Sequence, residues 1–185
     1  MSKGLSGLFH GTLGTSFVNG SSEVEKYADR GIDIPERIRN YLSHLQKKGD
    51  YITCSSAEFS MTDASIMSKE AGVEFAKVTI GNKAYIIRGD KTGTDIPEKL
   101  LKKVVKYDGR LDFHSHPFDD DLVPSVDDMD TMRFFRKYTS QTSSIIITTN
   151  NRTSSFNETG VVDVGTVPNT IDQSHKNALL ELFGG

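Results

Sequence analysis

Residues 110–149 read RLDFHSHPFDDDLVPSVDDMDTMRFFRKYTSQTSSIIITT, and the order of elements in this stretch decides the fold. RLDFH is a short apolar-rich strand ended by Pro117, which cannot donate to a sheet ladder. A loop follows. Ser125 then has the chemistry of a helix N-cap, with Asp127 and Asp128 in the first turn, where negative charge is favoured. Met129, Met132, Phe134 and Phe135 carry that helix to about Tyr138, and SSIIITT at 143–149 is a β-branched run of the kind found in buried strands.

Outward from this centre the pattern stays mixed. IPERIRNYLSHLQKK (34–48) reads as an amphipathic helix with Pro35 in its first turn and Ile38, Tyr41, Leu42 and Leu45 on one face. YITCS (51–55) reads as a strand, and residues near 61–70 as a short helix. VEFAKVTIGNKAYIIRGD (73–90) is two strand-like runs around Gly81–Asn82, a hairpin signature. DIPEKLLKKVVKY (95–107) is a further amphipathic helix. TSSFN and GVVDVGTV read as weaker strands and TIDQSHKNALLELF (170–183) as a closing helix. Residues 1–23 carry five glycines among serines and threonines and read as an irregular arm. The expected architecture is α/β, a single mixed sheet with covering helices. Residues 1–70 form an arm plus helix packed on a 71–185 core, all within one compact domain.

The 185 residues suit one domain with a sizeable core. A net charge of −3 gives no general attraction to nucleic acid or acidic membranes. No apolar run approaches the ~20 residues of a membrane span, and the start of the chain lacks the apolar segment of a secretory signal. Cys54 is the one cysteine, which excludes a disulfide framework and a four-cysteine zinc site and fits a reducing, cytoplasmic setting. It reads as a small buried residue. His10 and His44 read as packing and solvated residues.

His114 and His116 stand at i and i+2, the spacing that puts two side chains on one face of an extended segment. An imidazole pair so held makes two of the three protein ligands of a catalytic zinc site, and a carboxylate commonly supplies the third. Asp127 or Asp128, in the first turn of the next helix, can swing back towards it. Asp119, Asp120 and Asp121 read as solvated loop charge.

His114-Ser115-His116-Pro117 followed by Ser125-x-x-Asp128 resembles the motif of the JAMM (JAB/MPN-type) zinc metalloproteases, and the FHGT opening (9–12) is similar to JAB-type domains of bacterial toxin or phage proteins. The resemblance implies an MPN/JAB-like fold. It implies zinc held by His114, His116 and Asp128, with Ser125 stabilising an oxyanion. It further implies a glutamate upstream that acts as general base on the metal's water. The family's usual distance from second histidine to aspartate lands on Asp127, whereas the Ser-x-x-Asp rule lands on Asp128, so Asp127 is the alternative ligand. EFAKVTIG (74–81) keeps the family's glutamate and final glycine, with Lys77 and Thr79 in place of its middle glycine and leucine. Glu74 is the implied base, and Glu70, at an expected helix end, its competitor.

The activity implied is hydrolysis of a peptide or isopeptide bond, with a protein or peptide substrate such as the Gly-Gly tail of a ubiquitin-like protein. The rival expectation is an MPN-like binding or scaffold module, of phage or toxin origin, with a structural metal. A barrel amidohydrolase also uses paired histidines, but the ~70 residues after the pair are too few for a barrel of ~200 or more.

Overall fold

The computed structural model describes residues 34–166. The expected Gly-rich arm with His10 and the helix expected at 170–183, with His175, lie outside the described residues. Within them are four helices, α1 (Glu36–His44), α2 (Met61–Ala71), α3 (Glu98–Tyr107) and α4 (Val126–Tyr138). The strands are β1 (Tyr51–Ser55), β2 (Phe75–Ile80), β3 (Lys83–Arg88), β4 (Arg110–Ser115), β5 (Ser144–Ile147), β6 (Arg152–Asn157) and β7 (Gly160–Thr166). The strands form one seven-stranded mixed sheet in the order β1-β3-β2-β4-β5-β6-β7. Every pairing is antiparallel except β4 with β5, which is parallel. A parallel pair needs a crossover, and α4 provides it. None of these helices is long and apolar enough to cross a membrane.

The helices cover both faces. On one, Ile38, Leu42 and Leu45 of the α1 region and Ala64 and Met67 of α2 pack on Phe75, Ile86, Phe113 and Ile147. On the other, Leu100, Leu101 and Val104 of α3 and Met132 and Phe135 of α4 pack on Ala76, Val78, Leu111, Ile146 and Phe156. Residues 34–70 thus contribute an edge strand and two helices to the same sheet and core as residues 71–166.

Local chemistry explains several element ends. The β2–β3 hairpin turns at Gly81, whose φ of +61° favours a residue without Cβ. Ser60 with Asp63, and Ser125 with Asp128, form reciprocal capping boxes at the starts of α2 and α4. Helix α1 stops at His44, short of the expected 48, because Asp50 Oδ2 accepts the Gln46 and Lys47 amides and turns the chain. Pro35 and Pro97 sit at the N-cap rather than inside the first turn. Cys54, expected to be buried, is half-buried because β1 is an edge strand. Lys77 is the buried surprise of β2: its ammonium donates to the carbonyls of Ser56 and Phe59 at 2.8 Å each.

Candidate metal centre

The pairing of β2 with β4 slips by one residue, with Lys77 opposite Phe113 but Val78 opposite Leu111. A bulge of this kind re-aims side chains. Beyond it, Phe113 and Ser115 face the α1/α2 layer, while Leu111 and His114 share the α3/α4 layer. His116, one residue past the strand, still donates its amide to Ile147 O at 2.9 Å, so the parallel register carries it to the same side as His114. The pair therefore stands at the carboxyl end of β4, where the chain leaves for the crossover helix. That is the usual position of a site in sheets with parallel strands.

Ser115, between the histidines, is completely buried and anchors the pair from behind. Its hydroxyl lies 2.5 Å from Ser68 Oγ, accepts the Phe75 amide at 2.8 Å and reaches Phe75 O at 3.2 Å. It thus ties β4 to α2 and to the start of β2, next to Glu74.

His114 and His116 are both buried, and their Nε2 atoms are 3.1 Å apart. Phe156 meets the His114 ring edge to face. The His116 Nδ1 lies 2.8 Å from the carbonyl of Asp121 and 3.2 Å from its carboxylate. A ring nitrogen facing a carbonyl must donate, so neutral His116 carries its proton on Nδ1 and turns a lone pair towards His114 from Nε2.

The capping box of α4 aims Asp128 at the pair. Ser125 donates its amide (2.8 Å) and its hydroxyl (2.7 Å) to Asp128 Oδ2. Asp128 Oδ1 then lies 3.2 Å from His114 Nε2, and Oδ2 3.8 Å from His116 Nε2. Asp127 is exposed on the other side of the turn.

Glu74 immediately precedes β2 and is buried, where an isolated strand residue would be exposed. Its backbone is held on both sides by the loop after β3: Glu74 N donates to Asp90 O, and Gly89 N donates to Glu74 O. Gly89 is required there, since a Cβ would stand 2.4 Å from Gly93 O. Glu74 Oε1 lies 4.0 Å from His116 Nε2, and Thr94 donates towards Oε2 at 3.5 Å. Glu70 lies in the last turn of α2, away from the pair, and its Oε2 is buried without a partner among the described residues.

The donor geometry is compatible with a metal ion. In a tetrahedral site with bonds of ~2.0–2.1 Å, neighbouring ligand atoms sit roughly 3.3 Å apart. The His114–His116 and His114–Asp128 Oδ1 contacts, at 3.1 and 3.2 Å, lie near that edge, while the 3.8 Å approach to His116 is made by the other Asp128 oxygen, which Ser125 holds. Glu74, His114 and His116 also gather donor atoms within 4.8 Å of one another, a possible buried metal-binding group. The 4.0 Å separation places Glu74 farther from the histidines than Asp128 is.

The two carboxylates are driven in opposite directions. Burial pushes the Glu74 carboxyl up, and the neighbouring histidines offset this only in part. Burial also works against charge on Asp128, but His114, His116 and the Ser125 hydroxyl overcome it and hold that carboxyl far below the ordinary range. On His116 burial disfavours charge, and Asp128, Glu74 and Asp121 outweigh it and raise the ring's pKa. Two acids with opposed environments are the arrangement that separates a permanent anion from a proton carrier.

The carboxylates of the acidic loop are exposed, as their reading as solvated charge expects, and two of them are also pinned. Asp119 accepts from Thr149, Asp120 pairs with Arg152 at 2.6 Å, and the buried Ser154 hydroxyl donates to Leu122 O at 2.5 Å. Thr94, Ser154 and the Asp121 carbonyl carry no signature in the sequence. Only the need of a ligating histidine for an acceptor at its second nitrogen hints that one exists. A small cleft of about 20 Å³ lies at the centre between Glu74, Ala76, Thr94, Ile96, His114 and Asp128. Comparison with protein-family models, with curated proteins and with solved structures gives no match to the chain.

Proposed function

We propose that this protein is a zinc-dependent hydrolase of peptide or isopeptide bonds, with an MPN/JAB-like fold, in which His114, His116 and Asp128 hold the metal and Glu74 is the general base. The observation that carries it is the convergence of two buried imidazole Nε2 atoms, 3.1 Å apart, on an anionic Asp128, with a second carboxyl of raised pKa just beyond them. Two neutral imidazole lone pairs at that distance repel unless a proton or a cation lies between them.

Zinc bound there supplies Lewis acidity and brings the acidity of a coordinated water into the neutral range. Glu74 takes the proton of the attacking water on its carboxylate and gives it to the nitrogen that leaves as the C–N bond breaks. A raised pKa suits a group that must hold that proton in between. Asp128 balances positive charge and, through the capping box, keeps its direction. Ser125 positions Asp128; the oxyanion role implied by the family resemblance requires its hydroxyl to turn from Asp128 to the substrate. The substrate implied by the family resemblance is an extended tail, such as the Gly-Gly end of a ubiquitin-like protein.

A second reading has its own support. Glu74 together with His114, His116 and Asp128 makes four protein donors, the number that closes a structural zinc site in a binding or scaffold module. The deciding experiment combines elemental analysis with cleavage of fluorogenic peptides and of a ubiquitin-like Gly-Gly conjugate. The hydrolase reading expects one zinc per chain, lost in His116→Ala, with Glu74→Gln retaining zinc and losing cleavage. No zinc in the reconstituted protein refutes both readings; zinc that Glu74→Gln also loses, with no cleavage by the wild type, establishes the scaffold.

A further inference from the structure

Among the described residues, features outside the site include the partnerless Glu70 Oε2 of α2, the valines exposed on β7, and the chain of contacts that pins the acidic loop to β5 and β6. Nothing in the structure shows what would meet the first two. The third has a consequence for the metal centre.

Between Pro117 and Pro124 the chain makes a strap. Asp119 takes the Thr149 hydroxyl, Asp120 takes the Arg152 guanidinium at 2.6 Å, and Leu122 O takes the Ser154 hydroxyl at 2.5 Å. Leu122 and Pro124 are buried, so the far end of the strap is held by packing as well as by hydrogen bonds. Between these pins stands Asp121, whose carbonyl receives His116 Nδ1 at 2.8 Å. Asp121's own carboxylate, 46% exposed, also lies 3.2 Å from His116 Nδ1, so the strap brings both of its acceptors to the same ring nitrogen.

We infer that Ser154, Thr149 and Arg152 are positioning residues for the metal centre: through the 119–122 strap they hold the Asp121 carbonyl against His116 and so fix the ring tautomer that presents Nε2. This rests on the hydrolase reading for the identity of the metal, though the tautomer itself does not depend on it. None of the three touches either histidine. The surface pair Asp120–Arg152 is the weakest pin, because a well-solvated ion pair contributes little; the buried Ser154 hydroxyl is the strongest. Groups that hydrogen-bond the second nitrogen of a ligating histidine typically change metal affinity by 10–100-fold. An effect relayed through the strap lies near the lower end.

The test uses the full chain in two variants, Ser154→Ala and the double variant Thr149→Val/Arg152→Ala, each checked for fold by circular dichroism and thermal unfolding. Long-range proton–nitrogen NMR of the histidine rings, at a pH where His116 is neutral and without metal, reads the tautomer. Competition with a chromophoric chelator reads zinc affinity. The expected wild-type result is His116 protonated on Nδ1. At least one folded variant should show a mixed tautomer and a zinc dissociation constant roughly tenfold higher. Folded variants that keep the pure Nδ1–H tautomer and bind zinc within twofold of wild type overturn the inference. If the wild type binds no zinc, the metal assignment falls, and the tautomer still decides the strap.

Discussion

Replacing Glu74 by glutamine should make the metal-free protein more stable while abolishing its proposed activity. The Glu74 side chain is 7% exposed, its best donor is Thr94 at 3.5 Å, and His116 is 4.0 Å away. A polar group buried with partners this poor costs about 1–3 kcal/mol. Glutamine keeps the shape and removes the charge. Because burial raises the Glu74 pKa, the folded chain holds the proton to higher pH than the unfolded chain does. The charge therefore costs nothing below the ordinary glutamate value of 4.5, and its cost grows as pH rises through the folded value. His116, whose own pKa is raised, offsets part of that cost until it too loses its proton. The advantage of glutamine is thus largest at pH 8 to 9 and shrinks towards pH 5. For a chain of this size ~1 kcal/mol moves the midpoint by about 2–4 °C, so a rise of roughly 2–10 °C at pH 8 is expected. The assay is thermal unfolding in chelator across pH 5–9. A midpoint at pH 8 equal to or below wild type would refute the argument that Glu74 is held against its preference.

Other substitutions probe the supports of the site. Ser115→Ala leaves the Phe75 amide and the Ser68 hydroxyl without their buried partner, and should cost about 2–3 kcal/mol in denaturant unfolding; a loss under ~0.5 kcal/mol would show that water replaces it. Asp128→Ala should weaken zinc binding far more than Asp127→Ala in chelator competition, and should also cost ~1 kcal/mol of helix capping; the reverse ranking would make Asp127 the ligand. Asp90, despite a desolvation cost, is lowered to about 2 by Lys48 and Thr92. Its contribution is present above the ordinary 3.8 and is lost as pH falls towards about 2. Since its side chain is 45% exposed, screening keeps the effect below ~1 kcal/mol, and Asp90→Asn should flatten acid unfolding over that window by no more than this.

The parts of the fold legible in the sequence are those set by neighbours along the chain. Gly81–Asn82 between two β-branched runs gave the hairpin, and Ser125 with Asp128 three residues later gave the start of α4. The histidine spacing placed both rings on one face. What escaped depends on contacts between distant segments. The bulge between β2 and β4 cannot be read from either strand alone, although it brings Leu111 and His114 onto the same face. Asp119 and Asp120 are exposed as expected, but their ties to Thr149 and Arg152, about thirty residues away along the chain, were not legible. Lys77 stood as a departure from a motif, and its burial became intelligible only with two carbonyls from the loop before α2 beside it. For Lys77 composition favours exposure, and tertiary hydrogen bonds overrule it.

The same principle explains why the centre calls for a cation. Elsewhere in the described core, buried polar groups such as Lys77, Ser68 and Gln141 are matched by partners of opposite character. At the end of β4 the sequence instead gathers two carboxylates and two imidazoles, and the carboxylates lack a permanent positive neighbour. Protonating His116, whose pKa is raised, neutralises only part of this, and that contribution is lost as pH rises through the raised value. A divalent ion would do so at every pH at which its ligands are deprotonated, and would stabilise the fold by RT ln(1 + [ion]/Kd), about 2.7 kcal/mol at a hundredfold excess over Kd. Glu74, whose charge the metal-free fold disfavours, is nonetheless held by the loop at Gly89 beside two buried imidazoles, an arrangement compatible with a bound metal.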